Sequence, residues 1–305
     1  MYICFKAFYR RSLMLKSKKI YKYGFKPGLP HEFEILDINE VLQSSKKALT
    51  TTHRTEFYQI IWFKEGNPIH LVDFKPLVIQ PNSILFLHKD VVQQFDSNKH
   101  YTGKIILFTD SFFCKTQADT RFLKNCFLFN NLFNIPLIQI DRQVEVFELI
   151  LQQMETELQQ SKDSRQAELL QNLLHNFLLQ AERFSRLQYP FEPQKGNEYD
   201  SVMLFKDLLE DNYKSQKQVS FYTKSLFITE KRLNQATSKL LGKTPKEFIH
   251  DRVMLEAKRI LVYTTLSIKE IGYDLGFEEP TNFIKYFKKH ALTTPSEFRE
   301  QNRLA

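Results

Sequence analysis

The chain has 305 residues, 42% of them hydrophobic and 26% charged, with 43 Lys or Arg against 35 Asp or Glu, a formal charge of +8. That length allows two domains. The three cysteines, Cys4, Cys114 and Cys126, stand at irregular spacing, which excludes a disulfide framework and a paired metal-ligand motif and suits a reducing cytoplasm.

Residues 1–30 read as a basic tail. Residues 1–26 hold eight Lys or Arg and no acid, so the excess charge belongs to the tail and the remainder is balanced. The apolar run from Met1 to Leu13 is too interrupted for a signal peptide or membrane anchor, and no membrane partner is expected. Met14 opens Met-Leu-Lys-Ser-Lys-Lys and is a candidate second translation start.

Residues 31–140 carry short β-rich apolar runs: Phe57–Phe63, Ile69–Phe74, Leu77–Ile79, Ile84–Leu87 and Lys104–Phe108. Turns at Glu65-Gly66-Asn67-Pro68 and Gln80-Pro81-Asn82-Ser83 separate them. Many short strands at close spacing predict a small barrel. Residues 141–188 change period. Val144, Phe147, Ile150, Leu151, Met154 and Leu158 form one helical stripe, and Leu170, Leu173, Leu174, Phe177, Leu178, Ala181 and Phe184 form another. The Pro-containing segment 189–197 reads as a linker, and 198–305 as an all-helical domain whose first helix runs from about Ser201 to Tyr213.

That last domain contains one helical unit twice. Thr229-Glu230-Lys231-Arg232-Leu233 leads to Gly242-Lys243-Thr244-Pro245-Lys246-Glu247-Phe248; fifty positions on, Thr281 to Lys289 leads to Thr294-Pro295-Ser296-Glu297-Phe298. Thr244 and Thr294 are N-caps, the prolines fit the first helical position, and Glu247 and Glu297 reach back as capping-box partners. Ser267-Ile268-Lys269-Glu270 is a further capping box. It opens a short helix that stops at Leu275-Gly276-Phe277, where glycine suits a left-handed turn. A second helix begins near Glu279-Pro280. Helix, tight turn, helix is the helix-turn-helix pattern. The first copy has matching parts in Val219, Tyr222 and Leu226, the turn Phe227-Ile228 and the cap Thr229, without the turn glycine. A helix from Pro245 to Tyr263, about 19 residues and roughly 28 Å, separates the copies. With the packed helices added, that approaches one turn of B-DNA, about 34 Å, so the two second helices can enter successive major grooves.

The stretch from Val219 to Arg299 resembles the DNA-binding domain of AraC/XylS-type transcriptional regulators. The resemblance rests on Arg252-x-x-x-Glu256-Ala257-Lys258-Arg259-Ile260-Leu261, Ser267-Ile268-x-Glu270-Ile271-Gly272, Gly276-Phe277 and Phe283-x-x-x-Phe287-Lys288-Lys289, followed by Thr294-Pro295-x-Glu297-Phe298-Arg299. It departs from the family at Leu292, where Gly is usual, at Gly272, where Ala is usual, and at Thr237, where Phe is usual. The family's base-reading positions fall on Lys231, Asn234 and Gln235 and on Thr281, Asn282 and Lys285. Asn and Gln can bond adenine bidentately and Lys can bond guanine. Lys288 is expected on phosphate. For any one of these residues a plain solvated face is an equal alternative; two matching sets weigh against it.

The barrel resembles the cupin-like sensor half that precedes many such domains, on His53-x-x-Glu56-Phe57-Tyr58 and the Pro81-Asn82-Ser83 turn. His53, Glu56 and Tyr58 are therefore candidate effector contacts; strand alternation puts Glu56 and Tyr58 on one face and His53 on the other. A cupin metal site needs clustered histidines and a carboxylate. Here Arg54 and Thr55 follow His53, Gln93 lies near the place of the later histidine, and His70, His88 and His100 are scattered. No metal, cofactor or catalytic residue is expected.

The combined expectation is an α+β chain: a small cupin-like β-barrel, a helical dimerisation segment and an all-α tandem helix-turn-helix domain. The resemblance implies a cytoplasmic, sequence-specific transcription factor. Its implied partners are double-stranded DNA, a small-molecule effector, a second copy of the chain and RNA polymerase. A cupin-type enzyme with an accessory DNA-binding module is the alternative.

Overall fold

The computed structural model describes residues 21–89, 91–97, 100–129, 137–188 and 197–302, which fall into two units, 21–188 and 197–302. The basic residues 1–20, Met14 and Cys4 among them, and linker positions 189–196 lie outside the described residues.

The first unit holds two five-stranded sheets. One has the order β1 (Tyr21–Tyr23), β3 (His53–Thr55), β8 (Gln93–Gln94), β5 (Ile69–Val72), β6 (Lys75–Val78). The other has the order β10 (Leu137–Gln139), β7 (Ser83–Leu87), β4 (Tyr58–Glu65), β9 (Thr102–Phe108), β2 (Phe33–Asp37). The central strand β4 lies antiparallel to β7 and β9, with Ile61 opposite both Leu85 and Ile105. Both of its faces are buried, which explains the consecutive apolar residues Ile60–Phe63. Ile61 and Phe63 join Val72, Ile79, Phe95 and α1 (Ile38–Thr50) in the core enclosed by the barrel. Tyr58, Ile60 and Trp62 point the other way, into a core completed by helices.

Those helices are α2 (Asp110–Phe113), α3 (Gln117–Asn125), α4 (Val144–Gln159) and α5 (Gln166–Gln188). The stripes of α4 and α5 are spent on that core: Phe147, Ile150, Leu151, Met154, Leu170, Leu174, Phe177 and Leu178 are all buried. The tail boundary at residue 30 needs correction. Tyr21–Tyr23 pairs in parallel with His53–Thr55. The Glu56 amide donates to the Tyr23 carbonyl at 2.9 Å, and Lys22 pairs with Glu56 at 3.2 Å. A strand partner thirty residues away outweighs the local basic composition.

The second unit is all helical: α6 (Asn197–Asn212), α7 (Val219–Ser225), α8 (Glu230–Leu241), α9 (Pro245–Tyr263), α10 (Ile268–Asp274), α11 (Pro280–Ala291) and α12 (Pro295–Gln301). The three predicted capping boxes, Thr244 with Glu247, Ser267 with Glu270 and Thr294 with Glu297, are all formed. The three glutamates have pKa values below their usual range because the cap amides and hydroxyls donate to them. α9 is buried along most of its length and carries both helix pairs. Met254, Ala257 and Leu261 pack with Ile271, Leu275, Phe283 and Phe287 of the second pair.

Candidate nucleic-acid interface and barrel interior

In α8, Leu233, Ala236, Thr237 and Leu240 are buried, and Lys231, Asn234 and Gln235 are exposed. In α11, Phe283 and Phe287 are buried, and Thr281, Asn282, Lys285 and Lys288 are exposed. All seven sequence-chosen positions thus lie on the solvent sides of two helices built alike, each entered through a tight turn. The turns match in detail. Ile228 N–H donates to Thr223 O at 3.1 Å and Phe277 N–H to Gly272 O at 2.9 Å, the six-residue closure of a helix that ends in a left-handed residue. That residue is Gly276 at φ 73° in the second copy and Phe227 at φ 55° in the first. After α8 and α11 the choice is reversed: Gly242 ends α8 at φ 66°, and Leu292 ends α11 at φ 62°. Each copy therefore carries one side chain where the backbone favours glycine, and both side chains are almost bare, Phe227 at 95% and Leu292 at 86% exposure.

The two pairs pack on α9 through apolar side chains, and charge fastens the preceding helix α6 to it. The buried Arg252 guanidinium donates to Glu210 of α6 at 2.9 and 3.0 Å and to Glu256 at 3.2 Å, and Arg259 donates to Glu256 at 3.3 Å. Arg252 also lies over the Tyr213 ring at 3.9 Å. The neighbouring carboxylates raise its pKa against the opposing effect of burial. On the far side, Arg299 of α12 donates to the carbonyls of Leu261 and Leu266 at 2.9 and 2.6 Å, fastening α12 to the end of α9 and the loop that follows it.

In the barrel the three candidate effector contacts are not brought together. His53 is buried inside, stacked beside Phe95. Glu56 is outside, paired with Lys22. Tyr58 is in the opposite core, its hydroxyl donating to Asp110 at 3.1 Å. The expected shared face for Glu56 and Tyr58 fails because the chain bends at Glu56-Phe57, between β3 and β4, and alternation restarts.

What the barrel does enclose is a polar chain that periodicity did not reveal. Thr55 Oγ donates to the Phe57 carbonyl at 2.9 Å, Gln59 Nε2 to Thr55 at 3.0 Å and Gln93 Nε2 to Gln59 at 2.7 Å. Gln93 Oε1 lies 3.0 Å from His70 Nε2. Burial lowers the His70 pKa to about 3 and that of His53 to about 4, so both are neutral near pH 7. A buried Gln on β4 and one on β8 were the only sequence signal for this chain, and they gain meaning once the sheets are stacked. Among the described residues no three His, Cys, Asp or Glu cluster as metal ligands, and no helix is long and apolar enough to cross a membrane. Cys114, half-buried, and Cys126, buried, are not joined in a disulfide.

Known proteins share both halves. Residues 222–301 match the helix-turn-helix domain family and residues 43–178 match the AraC-like ligand binding domain family. The chain belongs to the AraC/XylS-type family of DNA-binding transcriptional regulators. It is similar to the lactose operon transcription activator of Staphylococcus xylosus, 28% identical over 140 residues that cover 46% of this chain and 49% of that protein. It is also similar to the HTH-type transcriptional activator RhaS of Pectobacterium carotovorum, 22% identical over 258 residues, 82% of this chain and 87% of that one. The chain thus spans about half of the first relative and most of the second. Among solved structures, ToxT from Vibrio cholerae aligns over 88% of this chain and 97% of its own, at 14% identity and a TM-score of 0.41.

Proposed function

We propose that this chain reads duplex DNA at two successive major-groove segments and adjusts that reading to a small molecule sensed by the barrel unit. The observation that carries the first part is the duplicated reading surface: two helices of twelve residues each, α8 and α11, with their polar residues exposed at matching positions. Lys231, Asn234, Gln235, Thr281, Asn282 and Lys285 would meet base edges, and Lys288 a phosphate. Footprinting on a site selected from random DNA should show two protected segments about 10 bp apart on one face of the duplex. One protected segment, or protection indifferent to sequence, would refute this.

The buried polar chain Thr55–Gln59–Gln93–His70 supports the effector half, with His53 the one candidate contact that faces the same interior. Polar groups held inside an otherwise apolar barrel suit a ligand of matching hydrogen-bond pattern. A second copy of the chain would sit on the outward side of α4 and α5, where Val146, Leu149 and Leu169 are exposed. RNA polymerase would be met in the cytoplasm at the promoter. The reaction chemistry of an enzyme has no part in this reading.

A further inference from the structure

The two reading heads are joined at a second place besides α9. Each packs on α9, and the loop Tyr213–Gln218, between α6 and α7, also reaches across to the turn of the second helix-turn-helix. Lys217 Nζ donates to the Lys214 carbonyl at 2.7 Å and to the Leu275 carbonyl, at the end of α10, at 2.7 Å. The same ammonium lies 4.6 Å from the centre of the Phe277 ring. Beside it Lys214 Nζ pairs with Asp274 at 2.8 Å. The approach is so close that a Cβ on Gly276 would stand 2.1 Å from the Lys214 carbonyl oxygen, which requires glycine there for its small size as well as for its φ of 73°. The base of the loop is fastened to α9 through Tyr213 on Arg252.

We propose that Lys217 is a positioning residue that fixes the rotational register between the two reading heads and thereby sets the half-site spacing the chain accepts. α9 determines how far apart the heads are, while a single shared helix leaves rocking of each head on its apolar seat. A second attachment removes that freedom. Lys217 suits the task because one ammonium supplies several donors to carbonyls that arrive from different directions. Half burial among backbone carbonyls and an aromatic face strengthens these contacts, and a neutral side chain of equal length would leave both carbonyls without this donor. DNA makes the register matter. Each added base pair turns the second half-site by about 34–36° as well as moving it along the axis.

This inference rests on the tandem-reading proposal above, and its test separates the two. The full-length protein and Lys217→Met are titrated against selected operators with the half-sites at the preferred spacing and with one base pair inserted or removed. The wild type should lose about tenfold in affinity for each misplaced base pair, the size of an ordinary mismatch. K217M should keep the preferred operator to within about threefold and lose most of the spacing penalty. A merely stabilising residue would lower all affinities together or none. If K217M loses its helical circular dichroism, Asp274→Asn decides: it removes the half-exposed pair beside the clamp, leaves the core intact and should reduce the spacing penalty about twofold. Variants that keep the full wild-type penalty overturn the inference alone. A wild type indifferent to spacing overturns the tandem reading and this inference with it.

Discussion

Leu292 shows how one residue separates fold from function. Its backbone is left-handed at φ 62°, where an L side chain is strained by about 1–2 kcal/mol, and its side chain is 86% exposed, so packing returns little. Leu292→Gly should therefore stabilise the second unit by roughly 0.5–1 kcal/mol after the entropy of an added glycine. Gly242→Ala, the same position in the first copy, should destabilise it by about 1 kcal/mol. Thermal melts of the two variants check the pair; a loss of stability in L292G would mean that Leu292 is held by contacts beyond its own strain. The residues proposed to read DNA divide in the same way. Gln235→Ala and Lys285→Ala should each lose about 1–3 kcal/mol of binding and relax preference at one base position. Lys288→Ala should weaken all sequences alike and flatten the salt dependence by about one unit. Competition binding over a set of single-base operator variants at two salt concentrations distinguishes them, and uniform weakening by all three would refute the base-reading assignments.

At the scale of elements, the helices were legible because their signals are local. Thr-Pro-x-Glu and Ser-Ile-Lys-Glu carry cap, first-turn proline and reciprocal glutamate within four residues, and the helices they open start where the spacing predicts. The strands were legible as apolar runs, but their partners were not. β3 and β8 are two or three residues long, and the Glu56-Phe57 bend resets the alternation on which the placing of Tyr58 depended. The barrel's buried histidines make a prediction at this scale. Both have folded pKa values below the unfolded value near 6.5, so the unfolded chain binds the extra protons. Their contribution is complete above about pH 6.5 and is lost as pH falls from there toward about 4 for His53 and about 3 for His70. The slope reaches up to about 1.4 kcal/mol per pH unit for each. Trp62, the single tryptophan, is buried in this unit and its fluorescence follows unfolding. Urea midpoints should fall between pH 6.5 and 4.5, and His70→Gln should reduce the slope; an unchanged slope would mean that His70 does not titrate on unfolding in this range.

For the whole molecule, the sensing and reading roles proposed for the two units imply a coupling free energy that acts in both directions. A small molecule that raises the melting temperature of the barrel unit should change DNA affinity, and the operator should change affinity for that molecule by the same factor. Coupling of 1–3 kcal/mol, typical of such linkage, corresponds to about 5–150-fold. A thermal-shift screen followed by reciprocal titrations measures both arms; ligands that stabilise the barrel while leaving DNA affinity and the footprint unchanged refute the sensor role for those ligands. Sequence alone determined the capping boxes, the duplicated turns, the length of α9 and the exposure of Lys231, Asn234, Gln235, Thr281, Asn282 and Lys285, because helical period and caps act over fewer than eight residues. Tertiary structure alone decided that Tyr21–Tyr23 belongs to the barrel, that His53 turns inward while Tyr58 turns to the helices, that Gln59, Gln93 and His70 join into one buried chain, and that Lys217 meets Leu275. Each of those depends on a partner tens of residues away, and side chains that distant become neighbours through the stacking of sheets and helices, which no local pattern encodes.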